Sequence, residues 1–175
     1  MPNTLRKPAS YSPSPEITPQ VISAGDLANV NDVLKVAVGV WNVSPRVKRL
    51  ALPSYRYDEY DLQQLDFLGA WRNGELVGFI SLEPTERDPL CSKPVAMLVH
   101  GLYIVPQMHG AGVGTRLVNA AKHRARRQGY TSLLVRAERN AKAFFEKIGF
   151  TPLAVEDAQR DYPHRLSIAL DDEPQ

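Results

Sequence analysis

The stretch from Met97 to Gly129 reads MLVHGLYIVPQMHGAGVGTRLVNAAKHRARRQG and determines the fold prediction for the whole chain. An apolar strand leads into a glycine-rich turn, and this turn opens an amphipathic helix. Gly110, Gly112 and Gly114 allow backbone conformations that a β-carbon forbids, so that successive N–H groups can point at one anion. The unpaired amides and the positive dipole end of a helix beginning near Gly112 add to this effect. The sequence therefore predicts a phosphate-binding turn.

Two common phosphate-binding motifs do not fit this turn. A dinucleotide-binding turn has the pattern GxGxxG with an acidic residue about 20 residues further on. Here the glycines read GAGVG, and residues 128–131 carry no acid. The Walker pattern requires a lysine followed by serine or threonine at the end of the turn, which this segment lacks. A nucleotide-binding module of another kind remains an alternative.

The turn resembles the acetyl-CoA-binding motif of the GNAT superfamily of N-acetyltransferases. In that motif Pro-x-x-Arg/Gln-Gly-x-Gly-x-Gly/Ala lies between a strand and a helix, and here Pro106 and residues 109–114 take those places. A second segment, AKAFFEKIGF from Ala141 to Phe150, resembles the Ala-x-x-x-Tyr-Glu-Lys-x-Gly-Phe helix of the same family. The two motifs occur in the order of the family, and the resemblance covers residues 66–150.

The resemblance implies that acetyl-CoA binds as a co-substrate, without a metal. Its pyrophosphate would lie on the amides of residues 109–115. Its pantetheine arm would follow a strand that separates from its parallel neighbour, beside the helix of the second motif. The cofactor-binding residues implied in this way are Leu102, Tyr103, Ile104, Val105, His109, Gly110, Ala111, Gly112, Val113, Gly114, Thr115, Asn140, Phe144 and Phe145.

The same resemblance implies the GNAT fold, an α/β fold with a mixed, twisted sheet of about six to seven strands and helices on both faces. The order of elements along the chain agrees with it. Val21 and Ile22 suggest a first strand, residues 23–41 read as a capped amphipathic helix, and Asn73-Gly74 marks a hairpin. Further strands are predicted at residues 95–105, 131–135 and 165–170, and residues 46–65 are expected to be helical in part.

The chain consists of two regions that differ in composition. Residues 1–19 contain five prolines together with serine and threonine, which is typical of a disordered tail. Residues 20–172 are expected to form one domain, because 175 residues correspond to about one domain of ordinary size.

The reaction implied by the resemblance is direct attack of an amine on a thioester. It requires a base, a donor for the carbonyl oxygen and a proton for the leaving thiolate. A backbone N–H of residues 103–105 is the implied oxyanion donor. His100, which by strand alternation shares a face with Leu102 and Ile104, is the candidate base, because histidine is suited to proton transfer near neutrality. A purely structural histidine is the alternative, and Glu83, acting directly or through water, is the second candidate base.

Three residues depart from the family pattern. His109 stands where arginine or glutamine is usual, and Glu138 stands where many relatives have asparagine, with Asn140 two residues later. Phe145 takes the place of the tyrosine that commonly protonates the thiolate, and a phenyl ring has no proton to donate. Tyr103 or water would then supply this proton, or the thiolate would leave unassisted. Because a CoA thiol should have a pKa near the ~8.5 of cysteine, the missing acid need not stop turnover.

The sequence leaves the acceptor open as a small-molecule or peptide amine. Residues 54–67 read SYRYDEYDLQQLDF, and two interpretations of this segment remain. It could form an aromatic and acidic wall that attracts a cationic amine. It could equally be a solvated helix face with partly buried tyrosines. The side chains concerned are Tyr55, Tyr57, Tyr60, Asp58, Glu59 and Asp61.

Composition and charge limit the partners and the compartment that the sequence predicts. A net charge of +2 predicts no strong affinity for nucleic acid, and the absence of a long apolar run predicts no membrane span. The single Cys91 fits a reducing, cytoplasmic compartment. A basic run at residues 122–127 either complements the negative end of its helix or contacts the nucleotide end of the cofactor. A homodimer remains open, as does a non-catalytic sensor that binds acyl-CoA on the same fold.

Overall fold

A computed structural model describes residues 17–85, 96–155, 159 and 164–170. Within these residues, seven strands form one sheet in the order β1-β2-β3-β4-β5-β7-β6. All neighbouring strands are antiparallel except β4 and β5, which are parallel. The strands are β1 (Pro19–Val21), β2 (Asp66–Arg72), β3 (Glu75–Pro84), β4 (Ala96–Ile104), β5 (Ser132–Arg136), β6 (Thr151–Pro152) and β7 (Arg165–Ala169).

Helices cover both faces of this sheet. One face packs against α4 through a core that includes Ile80, Leu82 and Leu117. The other packs against α1 through a core that includes Leu34 and Phe79. The mixed sheet with helices on both faces confirms the predicted fold class. The helices are α1 (Leu27–Gly39), α2 (Pro45–Tyr55), α3 (Glu59–Gln64), α4 (Val113–Arg127) and α5 (Lys142–Lys147), with 3-10 turns at Ala24–Asp26 and Pro106–Met108.

The hairpin between β2 and β3 is confirmed at Asn73-Gly74. Both residues have positive φ, 52° for Asn73 and 82° for Gly74, which is the conformation that a tight two-residue hairpin turn requires. The strand predicted at residues 95–105 is β4, and the helix predicted to begin near Gly112 is α4. None of the helices in the described ranges has the length and apolar character needed to cross a bilayer.

The beginning of the chain differs from the expectation in one respect. Residues 1–16 lie outside the described residues, as does Cys91. Residues 17–19, assigned to the disordered tail, are part of the fold instead. Ile17 is 9% exposed and packs in the core on the α4 face, and Pro19 begins β1. Composition missed this, because one apolar side chain among prolines was enough to anchor the segment.

Two side chains of the basic run on α4 have structural partners. Arg124 binds Asp66 through two hydrogen bonds of 2.8 and 3.1 Å, and Gln128 donates to the same carboxylate at 2.6 Å. The ammonium of Lys122 lies 6.0 Å from the ring centroid of Phe150. These contacts fasten the C-terminal part of α4 to β2 and to the segment that follows α5.

Replacing Asp66 with asparagine is expected to lower the free energy of unfolding at pH 7 by about 1 kcal/mol, since the ion pair is partly exposed to solvent. The hydrogen bond from Arg124 lowers the pKa of the Asp66 carboxyl in the folded protein. The carboxylate therefore stabilises the fold above its unfolded-state pKa of ~3.9, and this contribution disappears as the pH falls through the folded-state pKa.

Urea denaturation of both proteins at a series of pH values measures this effect. The two stabilities should converge below about pH 3.9. Asp32→Asn, at an exposed position of α1, is the matched control and should change stability little at any pH. A stability difference between wild type and Asp66→Asn that does not depend on pH would contradict the assignment.

Candidate functional site

A cavity of about 680 Å³ opens where β4 and β5 separate. Their parallel pairing ends at Val99 opposite Val135, whereas β4 continues to Ile104. This separation is the one expected for a pantetheine-binding strand. The side chains and backbone around the cavity come from α1, the α1–α2 connection, α2, β4, the turn after β4, the end of β5, the β5–α5 connection and α5. The lining includes Val40, Trp41, Val43, Val47, Lys48, Tyr55, His100, Leu102, Tyr103, Ile104, His109, Glu138, Asn140 and Phe145.

The main chain of β4 presents alternate residues to this cavity. Val105 donates its N–H to the carbonyl of Val77, so its amide belongs to the pairing with β3. Because bonded and non-bonded pairs alternate in an antiparallel ladder, Tyr103 also directs its N–H and C=O to β3. The expectation that the amides of Tyr103 and Val105 face the cofactor was therefore wrong. Leu102 and Ile104 have their main-chain groups on the open side.

The glycine turn presents a set of free N–H groups. Gly110 and Gly112 both have φ of +77°, which residues with a β-carbon rarely adopt. His109 and Ala111 donate their N–H groups inside the turn, to the carbonyls of Pro106 and Met108. Their amides are therefore not available to a phosphate, contrary to expectation. The N–H groups without an acceptor among the described residues are those of Gly110, Gly112, Val113, Gly114 and Thr115.

Gly114 has a second role, which is close packing. A β-carbon at this position would lie 3.0 Å from Cδ1 of Ile104 and 3.0 Å from Cζ of Phe144. The absent side chain thus allows the start of α4 to approach both β4 and α5. This approach brings the free amides of the turn close to the open edge of β4.

His109 binds the main chain of β4 through its ring. Its Nε2 lies 3.1 Å from the carbonyl oxygen of Ile104. Because a carbonyl only accepts, Nε2 carries the proton and donates it. At the position where arginine or glutamine is usual, the imidazole therefore holds the turn against the end of β4.

A β-bulge interrupts β4 beside the cavity. Ser81 of β3 pairs with Gly101, whereas the next residue, Leu82, pairs with Val99. His100 is therefore the extra residue on β4. Such a bulge changes the direction of the side chain at the inserted position.

The bulge turns His100 toward the α1 face of the sheet. The exposed His100 ring lies 5.8 Å from the Tyr57 ring, measured between centroids, and Tyr57 belongs to the core on the α1 face. Leu102 and Ile104 pack against the core on the α4 face. The prediction that His100 shares a face with them was wrong, because it assumed unbroken alternation along the strand.

Tyr57 connects His100 to the interior of the protein. Its hydroxyl lies 2.8 Å from Oγ of Ser81 and 3.1 Å from Nδ1 of His100. The main chain of Tyr57 is held by Asn31 of α1, which accepts from its N–H at 3.0 Å and donates to its carbonyl at 2.9 Å. Burial raises the pKa of the Tyr57 hydroxyl to about 12, so it remains protonated at neutral pH. The residues of this network that sequence reasoning missed are Asn31 and Ser81.

Gly101 is the sequence signal that could have indicated this network. A β-carbon there would lie 2.6 Å from the hydroxyl of Tyr57 and 3.1 Å from Oγ of Ser81. A glycine inside a strand often marks a bulge or a close approach of another group. Here it marks both, since the Tyr57 hydroxyl occupies the space beside the bulge.

The other predicted site residues lie at different distances from the cavity. Tyr103 lines it and is half-buried, and burial raises the pKa of its hydroxyl above the ordinary value. Phe145 is 3% exposed at the cavity surface and contacts Phe144, with ring centroids 5.1 Å apart. Asn140 also lines the cavity. Glu83 pairs with a residue nearer the start of β4 and is not part of the lining.

The aromatic and acidic side chains of residues 54–67 do not gather on one surface. Asp58 and Asp61 each bind the main-chain N–H of the other, at 3.0 and 2.8 Å, and so cap α3. Tyr60 is 67% exposed, and Tyr57 is buried. Only Tyr55 of this segment lines the cavity among the described residues. The interpretation as an aromatic and acidic wall was therefore wrong, because the acids serve a helix terminus.

Comparisons with known proteins agree with this geometry. The Acetyltransferase (GNAT) family is matched over residues 38–150. An uncharacterized N-acetyltransferase of Bacillus subtilis (strain 168), YhfO, is 33% identical over 84 residues, and the match spans 46% of this chain and 55% of that protein. The chain therefore matches about half the length of this curated relative.

Two solved structures show the similarity of fold. PaiA N-acetyltransferase from Thermoplasma acidophilum, solved in complex with coenzyme A, has a TM-score of 0.71 at 18% identity, covering 88% of this chain and 99% of that one. A GNAT family acetyltransferase from Brucella melitensis, solved in complex with acetyl-CoA, has a TM-score of 0.62 at 17% identity, covering 91% and 92%.

Proposed function

Because this chain belongs to the Acetyltransferase (GNAT) family, we propose that it transfers the acetyl group of acetyl-CoA to a primary amine. The amine attacks directly while both substrates are bound. The observation that carries the proposal is the set of free N–H groups at Gly110 and residues 112–115, placed beside the opening between β4 and β5. A phosphate group and an extended amide chain are the ligands that these two features fit together.

The chain's own groups suit the parts of acetyl-CoA. The amides of Gly110 and of residues 112–115 would hold the pyrophosphate at the N-terminus of α4. The main-chain groups of Leu102 and Ile104 would bond the pantetheine amides. The thioester would then lie near Phe145, in the apolar part of the cavity. The two relatives that were solved with coenzyme A or acetyl-CoA support this choice of co-substrate.

His100 is the proposed base. For its Nε2 to accept a proton, Nδ1 must carry the ring hydrogen and donate it to the Tyr57 oxygen, while the Tyr57 hydroxyl donates to Ser81. The 3.1 Å contact is compatible with this arrangement. Glu83, through water, is the second candidate, although it does not line the cavity.

The proposed reaction forms the N–C bond and breaks the C–S bond. The amine nitrogen attacks the thioester carbon, and the carbonyl oxygen becomes anionic beside a main-chain N–H of Leu102 or Ile104. His100 takes the proton that the amine nitrogen loses. The thiolate then leaves and takes a proton from the Tyr103 hydroxyl or from water. Burial raises the pKa of that hydroxyl, which keeps it protonated but makes it a weaker proton donor than an ordinary tyrosine.

A ligand screen tests the proposal. The unfolding temperature of the chain should rise with acetyl-CoA and with free CoA, and should not rise with NAD or ATP. A ligand present at 100 times its dissociation constant stabilises a protein by about 2.7 kcal/mol. Thiol release in the presence of primary amines then separates an acetyltransferase from an acyl-CoA sensor. The argument for a sensor is that Phe145 stands in the place of the tyrosine that would protonate the thiolate. Binding of acetyl-CoA without thiol release, whichever amine is added, would favour the sensor.

Phe145→Tyr is expected to fold and to raise turnover by up to about 10-fold. The hydroxyl would supply a proton donor at the cavity surface, and the gain is modest because a thiolate with a pKa near ~8.5 leaves without much assistance. Turnover under saturating acetyl-CoA measures the effect. Phe145→Leu, which adds no hydroxyl, should give no gain.

The same experiment has an outcome that opposes the assignment. An equal gain in the leucine variant would assign the effect to packing. A structure with CoA bound that placed the Phe145 ring far from the sulfur would also contradict it.

A further inference from the structure

The part of the cavity that is lined by α1, α2 and the segment between them is apolar and basic. We define the acceptor wall as Val40, Trp41, Val43, Val47 and Tyr55, which line the cavity from the end of α1 through α2. We infer that the acceptor is a primary amine on an apolar body, with no second positive charge, such as a hydrophobic amino acid. This inference rests on the proposed function, because it concerns the second substrate of the same cavity.

Exposure of the acceptor wall supports an apolar occupant. Val40 is 57% exposed, Val43 is 43% exposed and Val47 is 49% exposed. Trp41 and Tyr55 stand edge to face, with ring centroids 5.4 Å apart. A branched or aromatic body placed against these side chains would remove apolar surface of both partners from water.

The charge around the acceptor wall opposes a polycation. Among the described residues, the part of the cavity lining that comes from residues 37–55 contains Lys48 and no Asp or Glu. Of the side chains lining the cavity in the described residues, only Glu138 is acidic, and it belongs to the segment after β5 rather than to the acceptor wall. A polyamine would therefore lose hydration without gaining a carboxylate partner on this wall.

Lys48 offers a partner for an anionic group instead. It lines the cavity, and its Nζ donates one hydrogen bond of 2.6 Å to the carbonyl of Gly39, at the end of α1. An ammonium group has three donors, so two remain for an acceptor oxygen. The carboxylate of an amino acid is the simplest group that would accept from these two donors. The apolar side chain of the same amino acid could then lie against the acceptor wall.

Four amines test the inference with the full chain and acetyl-CoA. L-phenylalanine has an apolar body and a carboxylate, phenethylamine has the apolar body alone, glycine has the carboxylate alone, and spermidine is a polycation. We expect kcat/KM from thiol release to be at least ~10-fold higher for L-phenylalanine than for glycine or spermidine, with phenethylamine between, since one well-filled apolar pocket discriminates by about 10-fold to 200-fold.

Matched variants locate the effect. Val47→Asp puts a carboxylate on the acceptor wall at an exposed position in the first turn of α2, where an acid is compatible with the helix. It should lower kcat/KM for L-phenylalanine by at least ~10-fold. The control is Val36→Asp, at a position of α1 that is 44% exposed and outside the cavity lining. It should change kcat/KM for L-phenylalanine by no more than ~2-fold. Lys48→Gln should reduce the preference for L-phenylalanine over phenethylamine.

The outcomes separate this inference from the proposed function. Turnover of spermidine equal to or above that of L-phenylalanine would overturn the inference and leave acetyl transfer intact. Acetyl-CoA binding with turnover of none of the four amines would also overturn it. If the unfolding temperature did not respond to acetyl-CoA, the proposed function would fail and this inference with it.

Discussion

Replacing Gly112 with valine should weaken acetyl-CoA binding on the order of 100-fold. Gly112 has a φ of +77°, and no described atom lies within 4 Å of the β-carbon that would be added. The variant therefore has room to fold, but a β-branched residue strongly disfavours this backbone conformation. The amides of Gly112 and Val113 would turn away from one another, and the side chain would stand where a phosphate approaches. Calorimetric titration with acetyl-CoA measures the change.

Gly129→Val is the matched control for this experiment. Gly129 follows the other end of α4, has a φ of +86° and also has no atom within 4 Å of an added β-carbon. It should cost a similar ~1–3 kcal/mol of folding stability through backbone strain. Its acetyl-CoA affinity should equal that of wild type. Equal loss of affinity in both variants, or no loss in either, would contradict a phosphate site at the turn.

His100→Gln should lower the rate of acetyl transfer about 100-fold to 10,000-fold, the usual cost of losing a general base. Glutamine retains hydrogen-bonding capacity toward Tyr57, but it does not titrate. The limb of the pH–rate profile that arises from an imidazole should disappear, whereas acetyl-CoA affinity should remain. Steady-state rates from pH 5 to pH 9, measured with an acceptor that wild type uses, provide the comparison.

Two further variants make this result specific. His123→Gln, at an exposed position of α4, should leave the rate and its pH dependence unchanged. Tyr57→Phe removes the contact with Nδ1 of His100 and leaves the buried Ser81 hydroxyl without this partner. It should lower the rate about 10-fold and cost ~1–3 kcal/mol of stability. If His100→Gln keeps the wild-type rate and profile, His100 is structural, and Glu83 or a water becomes the better candidate.

The elements that sequence reasoning predicted correctly are those specified by neighbouring residues. Asn73-Gly74 determines its turn through backbone conformation alone, and the glycines after β4 do the same for the start of α4. The strand β6, Thr151–Pro152, was not predicted because two residues carry no periodic signal. Its position depends on β7, which pairs with it from later in the chain.

The parts of the site that were mispredicted depend on distant contacts. The bulge at His100 reverses the expected face of one side chain, and it arises from the register with β3. The hydroxyl of Tyr57 reaches β4 across 43 residues of sequence, because Asn31 holds its main chain. No local pattern encodes such a contact, although Gly101 indicated that some group comes close.

The opening between β4 and β5 has a consequence for how much this sequence can change. Most groups proposed to hold acetyl-CoA are main-chain amides, so exchange of one apolar side chain for another at Leu102 or Ile104 leaves the donors and acceptors in place. The sequence therefore has to preserve a backbone conformation rather than particular side chains, and this requirement falls mainly on a few glycines. Extensive divergence is compatible with such a site, and a TM-score of 0.71 at 18% identity is an example of a fold that persists under it.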